Sequence, residues 1–311
     1  MKSERLKYGD EIRVIAPSTS LAAVQEDICR EALAFLTGQG FQVTFSRHCR
    51  ELDAEESSSV RSRAEDLHEA FLDKNVKAIL ACAGGFNVNQ ILEYLDYSII
   101  KNNPKIICGY SDITALTNAI YKKTGLFTYH GPQFSSFGHA EGRTYTNKAF
   151  SECVMGDGPF ELLPSEAAGT YTVIQEGRAG GTIIGGNLCT LNLLQGTPFM
   201  PVLNESILFL EDDNIMGEFF TREFERNFQS LLQAAGGSGP KGIVFGRFDD
   251  SCHMTEEFVR RMCRAKDKLL GIPILFGVDF GHVRPFATFP VGGQAQISGE
   301  NGVGRVRITE H

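Results

Sequence analysis

The sequence predicts an α/β protein: a mostly parallel N-terminal sheet with helices on both faces, followed by a second, smaller α/β domain rich in β-strands. Three observations lead there. Short apolar runs alternate with stretches whose apolar residues recur at helical spacing, the pattern of strand-helix-strand crossovers in a parallel sheet. Many of those runs end in glycine or in Ser/Asp/Asn clusters, which turn a strand into the next helix. The length of 311 residues with 42% hydrophobic content is enough to bury two cores at roughly 100–200 residues per domain.

Glu11-Ile-Arg-Val-Ile-Ala-Pro17 reads as the first buried strand, and residues 21–37 keep helical spacing until Gly38-Gln-Gly40 stops them. Phe41-Gln-Val-Thr-Phe45 alternates as a second strand, 57–75 is a polar-led helix, and Lys77-Ala-Ile-Leu-Ala-Cys82 is a third strand ending at Ala83-Gly84-Gly85. Lys105-Ile-Ile-Cys-Gly-Tyr-Ser-Asp112 is a further apolar run that passes at once into a helix over 113–121. After Leu126-Phe-Thr-Tyr-His-Gly-Pro132 the alternation weakens, and Gly156-Asp-Gly-Pro159 and Leu163-Pro-Ser165 punctuate a mixed stretch. The expected division is a Rossmann-like domain over 1–150, a linker over 151–178 and a C-terminal α/β domain over 179–311. The latter opens with Gly180-Gly-Thr-Ile-Ile-Gly-Gly-Asn187. It continues with Ser206-Ile-Leu-Phe-Leu210 running into Glu211-Asp-Asp-Asn214, then strands at 242–245, 273–276 and 305–308 and a helix over 255–270. Phe220, Phe224, Phe228 and Leu231 share one helix face, read as core packing.

A net charge of -8 and a pI near 5.5, without a Lys/Arg cluster interleaved with aromatics, argue against nucleic acid as the main partner. The first ten residues hold no apolar leader, and no run of about 18 uncharged apolar residues occurs, so a soluble, cytoplasmic protein without membrane contact is expected. Eight cysteines without a C-x-x-C look like reduced core residues, and seven histidines without H-E-x-x-H or zinc-type pairing predict no metal.

Gly109-Tyr-Ser-Asp112 closes a strand and opens a helix. A serine at such a turn sits on strained backbone that pushes its hydroxyl out of the sheet top, and the helix start offers free N–H donors to a developing oxyanion. Ser111 is therefore a candidate nucleophile. The pattern is half of the hydrolase G-x-S-x-G signature, with Ile113 where the second glycine belongs, and a plain N-cap at Ser111 or Asp112 accounts for it as well. Gly84 and Gly85 let bare backbone N–H groups approach a ligand, or simply permit a tight turn. No G-x-G-x-x-G or G-x-x-x-x-G-K-[ST] follows, so no nucleotide cofactor is expected.

Three separated pieces carry a resemblance. They are Gly84-Gly-Phe-Asn-Val-Asn-Gln-Ile-Leu-Glu-Tyr-Leu-Asp96, Asn103-Pro-Lys-Ile-Ile-Cys-Gly-Tyr-Ser-Asp-Ile-Thr-Ala-Leu116, and Leu208-Phe-Leu-Glu-Asp-Asp213 with Gly277-Val-Asp-Phe-Gly-His282. Together the chain resembles the LD-carboxypeptidase family, serine peptidase family S66, including the branch similar to microcin C immunity peptidases. The likeness runs from Gly9-Asp-Glu-Ile-Arg-Val-Ile-Ala-Pro17 to Pro290-Val-Gly-Gly293, with Ser, Glu and His in the family's order. It implies a Ser-Glu-His triad, which motif by motif falls on Ser111, Glu211 and His282. The chemistry suits those roles: a hydroxyl needs a neutral imidazole to take its proton, and the imidazole needs a carboxylate to fix its tautomer. The resemblance also implies an oxyanion hole from the backbone N–H groups of Gly85 and Asp112. Asp112 and Asp213 stand as rival acids for His282.

A carboxypeptidase must bind a free carboxylate, and Arg284, two residues past His282, is the candidate. The chain has no tryptophan, whereas the microcin-type enzymes are expected to stack an indole on the nucleotide base; Phe and Tyr can stack instead. The expected activity is cleavage of an L,D-peptide bond at the C-terminus of murein-derived tetrapeptides. The alternatives are an amidase of peptidyl-nucleotide antibiotics of the microcin C type, and a small-ligand binder in which Ser111 and Gly85 hold an anion without chemistry. Expected partners are a small peptide or peptidyl-nucleotide substrate and a second copy of the chain in a homodimer.

Overall fold

The computed structural model describes residues 1–166 and 168–311 and contains two sheets. In the first, β1 (Glu11–Ile15), β2 (Gln42–Phe45), β3 (Val76–Ala81), β4 (Ile106–Gly109) and β5 (Thr128–His130) are all parallel, in the spatial order β5-β4-β3-β1-β2. The helices α1 (Glu26–Gly38), α2 (Val60–Leu72), α3 (Tyr97–Asn102) and α4 (Ile113–Thr124) connect these strands, and α5 (Arg143–Met155) follows β5. Every residue of β4 is buried, as expected of an apolar run covered on both faces of a parallel sheet.

The second sheet is mixed. Its elements are β6 (Phe160–Glu161), β7 (Thr172–Gln175), β8 (Gly177–Asn187), β9 (Ile207–Glu211), β10 (Gly242–Gly246) and β11 (Ile274–Val278), then, past β12 (Phe289–Val291), β13 (Gln294–Glu300) and β14 (Val303–Glu310). The order is β6-β14-β13-β8-β9-β10-β11-β7, with β8 to β11 parallel. Between the strands lie α6 (Leu188–Asn192), α7 (Phe220–Ala234) and α8 (Glu256–Arg264). Phe224 and Phe228 of α7 pack on Phe245 of β10 at ring separations of 6.0 and 5.4 Å, so the phenylalanine face covers the sheet. The sheet curls until its ends meet: a Cβ on Gly304 of β14 would lie 3.0 Å from the Tyr171 carbonyl.

Several expectations need correction. The helix expected from 21 starts at Glu26, because Ser20 caps a separate 3₁₀ turn over Leu21–Ala23 and Val24 is extended. The helix expected to reach 270 ends at Arg264, where Lys266 leaves helical geometry before a second 3₁₀ turn. The stretch 151–178, expected as a linker, holds the end of α5, both β6 and β7, and the start of β8; within it Ala167 lies outside the described residues. Its strands pair with β14 and β11, so this segment is built into the second sheet. In the opposite direction, β12 leaves the second half to join the first sheet antiparallel to β5, with Phe289 opposite His130.

Candidate active site

The turn after β4 is forced. A Cβ on Gly109 would lie 2.8 Å from Ile113 Cγ2, so α4 packs back on the strand end and only three residues make the connection. Ser111, in the middle, takes φ +62°, left-handed backbone that costs a residue with a side chain on the order of 1 kcal/mol or more. The strain expected there is present. Asp112 stands at the N-cap of α4 but its side chain makes no cap bond. Its Oδ2 instead accepts from Ser18 Oγ at 2.6 Å and from the Val88 amide at 2.8 Å. On the other side Gln133 Nε2 donates to the Tyr110 carbonyl at 2.7 Å.

The Gly84-Gly85 loop lies directly against this turn. A Cβ on Gly84 would be 2.9 Å from Ser111 Cβ and 3.0 Å from its Oγ. Gly85 has φ +147°, and a Cβ there would strike Ser18 Oγ at 2.2 Å. Space and backbone conformation both require glycine.

Glu211 is the last residue of β9 and fully buried; its Oε2 accepts from His282 Nδ1 at 2.7 Å. A carboxylate can only accept, so in the neutral ring Nδ1 carries the proton and Nε2 is left basic. His282 Nε2 makes no hydrogen bond among the described residues, although Asp213 Oδ2 stands 3.4 Å away. The loop that carries His282 is anchored by buried Asp279, which accepts from both the amide and the hydroxyl of Ser165 at 2.7 Å and pairs with Arg247 at 2.9 Å. Ser111 and His282 are not joined by a hydrogen bond in this structure, among the described residues. Their neighbourhood is defined by Tyr110, whose ring meets the His282 ring at 5.2 Å. Two bonds tie the sheets together beside the site: Asn118 Nδ2 of α4 donates to the Gly185 carbonyl of β8 at 2.9 Å, and the Asn187 amide donates to Thr114 Oγ1 at 3.0 Å.

Electrostatics follow from burial and three clustered carboxylates. Burial pushes His282 towards neutrality, but Glu211 beside it, with Asp213 and Asp212 behind, outweighs this and raises its pKa to about 9. Burial alone would raise Glu211, yet the His282 charge and hydrogen bond hold it below its ordinary value. Burial and the Glu211 charge push Asp212 up to about 7, and burial raises Asp213 against the pull of His282. Arg284 is exposed, and its charge opposes the upward push of burial on Tyr110.

The structure thus brings Glu211 to His282, and Gly84, Gly85 and Asp112 to Ser111. Of the rival acids, Asp112 turns away to Ser18 and Val88, while Asp213 stays beside the imidazole. His130, at the end of β5, is a reserve candidate for the base should Ser111 be activated within the first half. It is fully buried with neither ring nitrogen bonded among the described residues, stacked on Phe289 at 4.6 Å, and lowered to about 4 by burial despite the Glu211 charge. Its place at a strand end beside β4 was the available signal. For Arg63 and Ser18, which support the Gly85 loop, spacing offered none. Among the described residues no three His, Cys, Asp or Glu side chains form a metal ligand set, and no helix is long and apolar enough to cross a membrane.

Comparison with known proteins places the chain. Residues 12–131 match the LD-carboxypeptidase N-terminal domain and residues 180–297 the LD-carboxypeptidase C-terminal domain. YocD of Bacillus subtilis (strain 168), provisionally named a carboxypeptidase, is 45% identical over the full length of both chains. A second protein of that organism, provisionally named a murein peptide carboxypeptidase, is 31% identical across 96% of this chain and 91% of its own. The crystal structure of an MccF-like protein from Bacillus anthracis str. Ames is 47% identical, covers 100% of both chains and superposes with a TM-score of 0.97; MccF is the microcin C7 self-immunity protein of Escherichia coli. With both domains of the family matched in order across most of its length, this chain belongs to the LD-carboxypeptidase family, the S66 peptidases.

Proposed function

We propose that the protein is a serine carboxypeptidase that cleaves an L,D-peptide bond at the C-terminus of murein-derived tetrapeptides with Ser111, His282 and Glu211 as its triad. One observation carries the reading: His282 gives Nδ1 to a buried carboxylate at 2.7 Å, its Nε2 has no hydrogen bond among the described residues, and its ring meets at 5.2 Å the ring of Tyr110, the neighbour of a serine on left-handed backbone. In this scheme His282 Nε2 takes the Ser111 proton as Oγ attacks the scissile carbonyl, and Glu211 stabilises the imidazolium. The amides of Gly85 and Asp112 receive the oxyanion, His282 returns the proton to the leaving amine, and water then hydrolyses the acyl-enzyme. Arg284, exposed and two residues past His282, is assigned the terminal carboxylate of the substrate.

The division of labour is likewise proposed. A unit over 1–150 supplies the nucleophile and a unit over 179–311 the acid and base. Eight free cysteines, seven of them buried, suit a reducing compartment, and with it the cytoplasm.

The second reading is a microcin C-type amidase of peptidyl-nucleotides, favoured by the 47% identity to the MccF-like protein. Phe86, 78% exposed next to Gly85, offers a ring on which a base can stack where the chain has no tryptophan. Mass spectrometry of products from a murein tetrapeptide and a microcin C analogue, run side by side, decides between them. The expected result is loss of the C-terminal residue from the tetrapeptide; cleavage of the analogue alone reverses the order of the readings. A fluorophosphonate that fails to label Ser111 removes both and leaves an anion binder.

A further inference from the structure

The loop that carries Gly85 has no regular structure to hold it. Residues 82–87 belong to neither strand nor helix; the peptide that carries the Gly85 amide is held on its carbonyl side by the Thr19 amide, which donates to the Gly84 carbonyl at 3.1 Å. Buried side chains hold the segments on either side of that peptide. Arg63, 2% exposed, spends its guanidinium on three segments: Nη1 donates to the Asn87 carbonyl at 3.0 Å, to Asn87 Oδ1 at 2.9 Å and to the Pro17 carbonyl at 3.1 Å, Nη2 donates to Gln90 Oε1 at 2.7 Å, and Nε donates to the Ser58 carbonyl at 3.0 Å. Asp112, 3% exposed, takes the Val88 amide and the Ser18 hydroxyl on one carboxylate oxygen. Ser18 Oγ in turn faces Asn87 Oδ1 at 3.3 Å and is the atom that a Cβ on Gly85 would strike. A carboxylate and a guanidinium this deeply buried are costly unless their hydrogen bonds are used, and here they are used on the loops around Gly85.

We propose that Asp112 and Arg63 are positioning residues: the Asp112 carboxylate, with Arg63 behind it, latches the loop bearing Gly85 to the turn bearing Ser111 and so fixes the spacing of the two oxyanion-hole donors. This rests on the reading of Ser111 as nucleophile. One residue does two jobs, since the backbone N–H of Asp112 is one donor while its side chain holds the segment that carries the other. A helix cap at this position would leave the Ser18 hydroxyl and the Val88 amide without the carboxylate that joins them to the Ser111 turn. The absent cap bond and the two bonds to Ser18 and Val88 are what a latch requires.

The test is the second-order rate of fluorophosphonate labelling, measured against pH on the full chain. Phosphonylation needs His282 as base, develops charge on the phosphoryl oxygen in the hole, and does not depend on which peptide is the substrate. Ser18→Ala and Asp112→Asn are each expected to lower the limiting rate about 10- to 100-fold, with the pH midpoint unmoved and the double variant losing less than the product of the two. Arg63→Lys is expected to act in the same direction, because an ammonium cannot reproduce the fork. Ser18→Ala removes one hydroxyl and stands as the test if Asp112→Asn does not fold. A folded Ser18→Ala or Asp112→Asn that labels at the wild-type rate overturns the latch, and so does a shifted midpoint, which would mean that these residues act on the base. Labelling that survives Ser111→Ala overturns the assignment of the site itself; labelling abolished by Ser111→Ala but unchanged in the latch variants overturns the latch alone.

Discussion

His282 has three carboxylates around it and one proton to manage. Its raised pKa means that the basic form accumulates only in alkaline solution, so kcat/KM is expected to climb with pH until about 9. Asp213→Asn removes one of the anions that favour the imidazolium, and the midpoint of the profile moves to lower pH. A midpoint that stays in place would detach Asp213 from the base. The same shift acts on stability with the opposite sense: His282 binds its proton more tightly folded than unfolded, so its contribution is full below about 6.5 and is lost as pH rises through about 9. Ser111→Ala and His282→Ala should each reduce turnover at least about a thousandfold, and the double variant no further than the worse single, because nucleophile and base act as a unit. Summed losses in kinetics of the double variant would break that link. Glu211, His282 and Ser111 were legible because each closes an apolar run and together they match a family pattern. The Asp112 latch was not, because a side chain that reaches back across 94 positions to Ser18 leaves no mark in local spacing.

Two elements, α4 and β8, set the angle at which the sheets present their strand ends. The contact is close: Gly186 of β8 has φ +122°, and a Cβ on it would lie 2.5 Å from Thr114 Oγ1 and 3.0 Å from His130 Nδ1. Gly186→Ala is therefore expected to force β8 and α4 apart, lowering stability by roughly 1–3 kcal/mol and kcat more steeply than KM. Denaturant unfolding with parallel kinetics checks this; a stable variant with unchanged kcat would show that the clamp tolerates the extra methyl group. Elements with unbroken apolar runs, such as β4, β9 and β10, were readable because burial on both faces leaves no polar residue within β4 and β10 and only the terminal Glu211 in β9. Those that were missed are short or take their partner from far away. β12 has three residues and reaches back to β5, and β6 has two and pairs with β14, so tertiary pairing decides them and not propensity. α5 escaped because polar residues interrupt its apolar face.

At the scale of the whole molecule the two sheets share their apolar interior. One cluster joins Ile107, Leu116 and Ile120 of the first half to Ile184, Leu208 and Leu210 of the second, and another joins Cys108, Tyr129 and Phe134 to Phe209, Phe280 and Phe289. β12 adds a hydrogen-bonded crossing on top of this packing, and α4 a polar one. Neither half can lose its structure without exposing apolar surface of the other, at about 25 cal/mol for each Å². Thermal or denaturant unfolding is therefore expected as one transition, with the loss of Ser111 labelling by a fluorophosphonate coinciding with the loss of secondary structure. Leu116→Ala, which opens a cavity where the clusters of the two halves meet, should destabilise the entire chain by roughly 2–5 kcal/mol and shift both signals together. A fragment ending near Gly156 lacks the base, the β12 edge and half of each cluster, so it should neither label nor unfold cooperatively. Two separate transitions in the full chain, or a fragment that labels strongly, would mean that the nucleophile is activated within the first half, with His130 and His139 the groups to test, and that the shared interior is not what assembles the site.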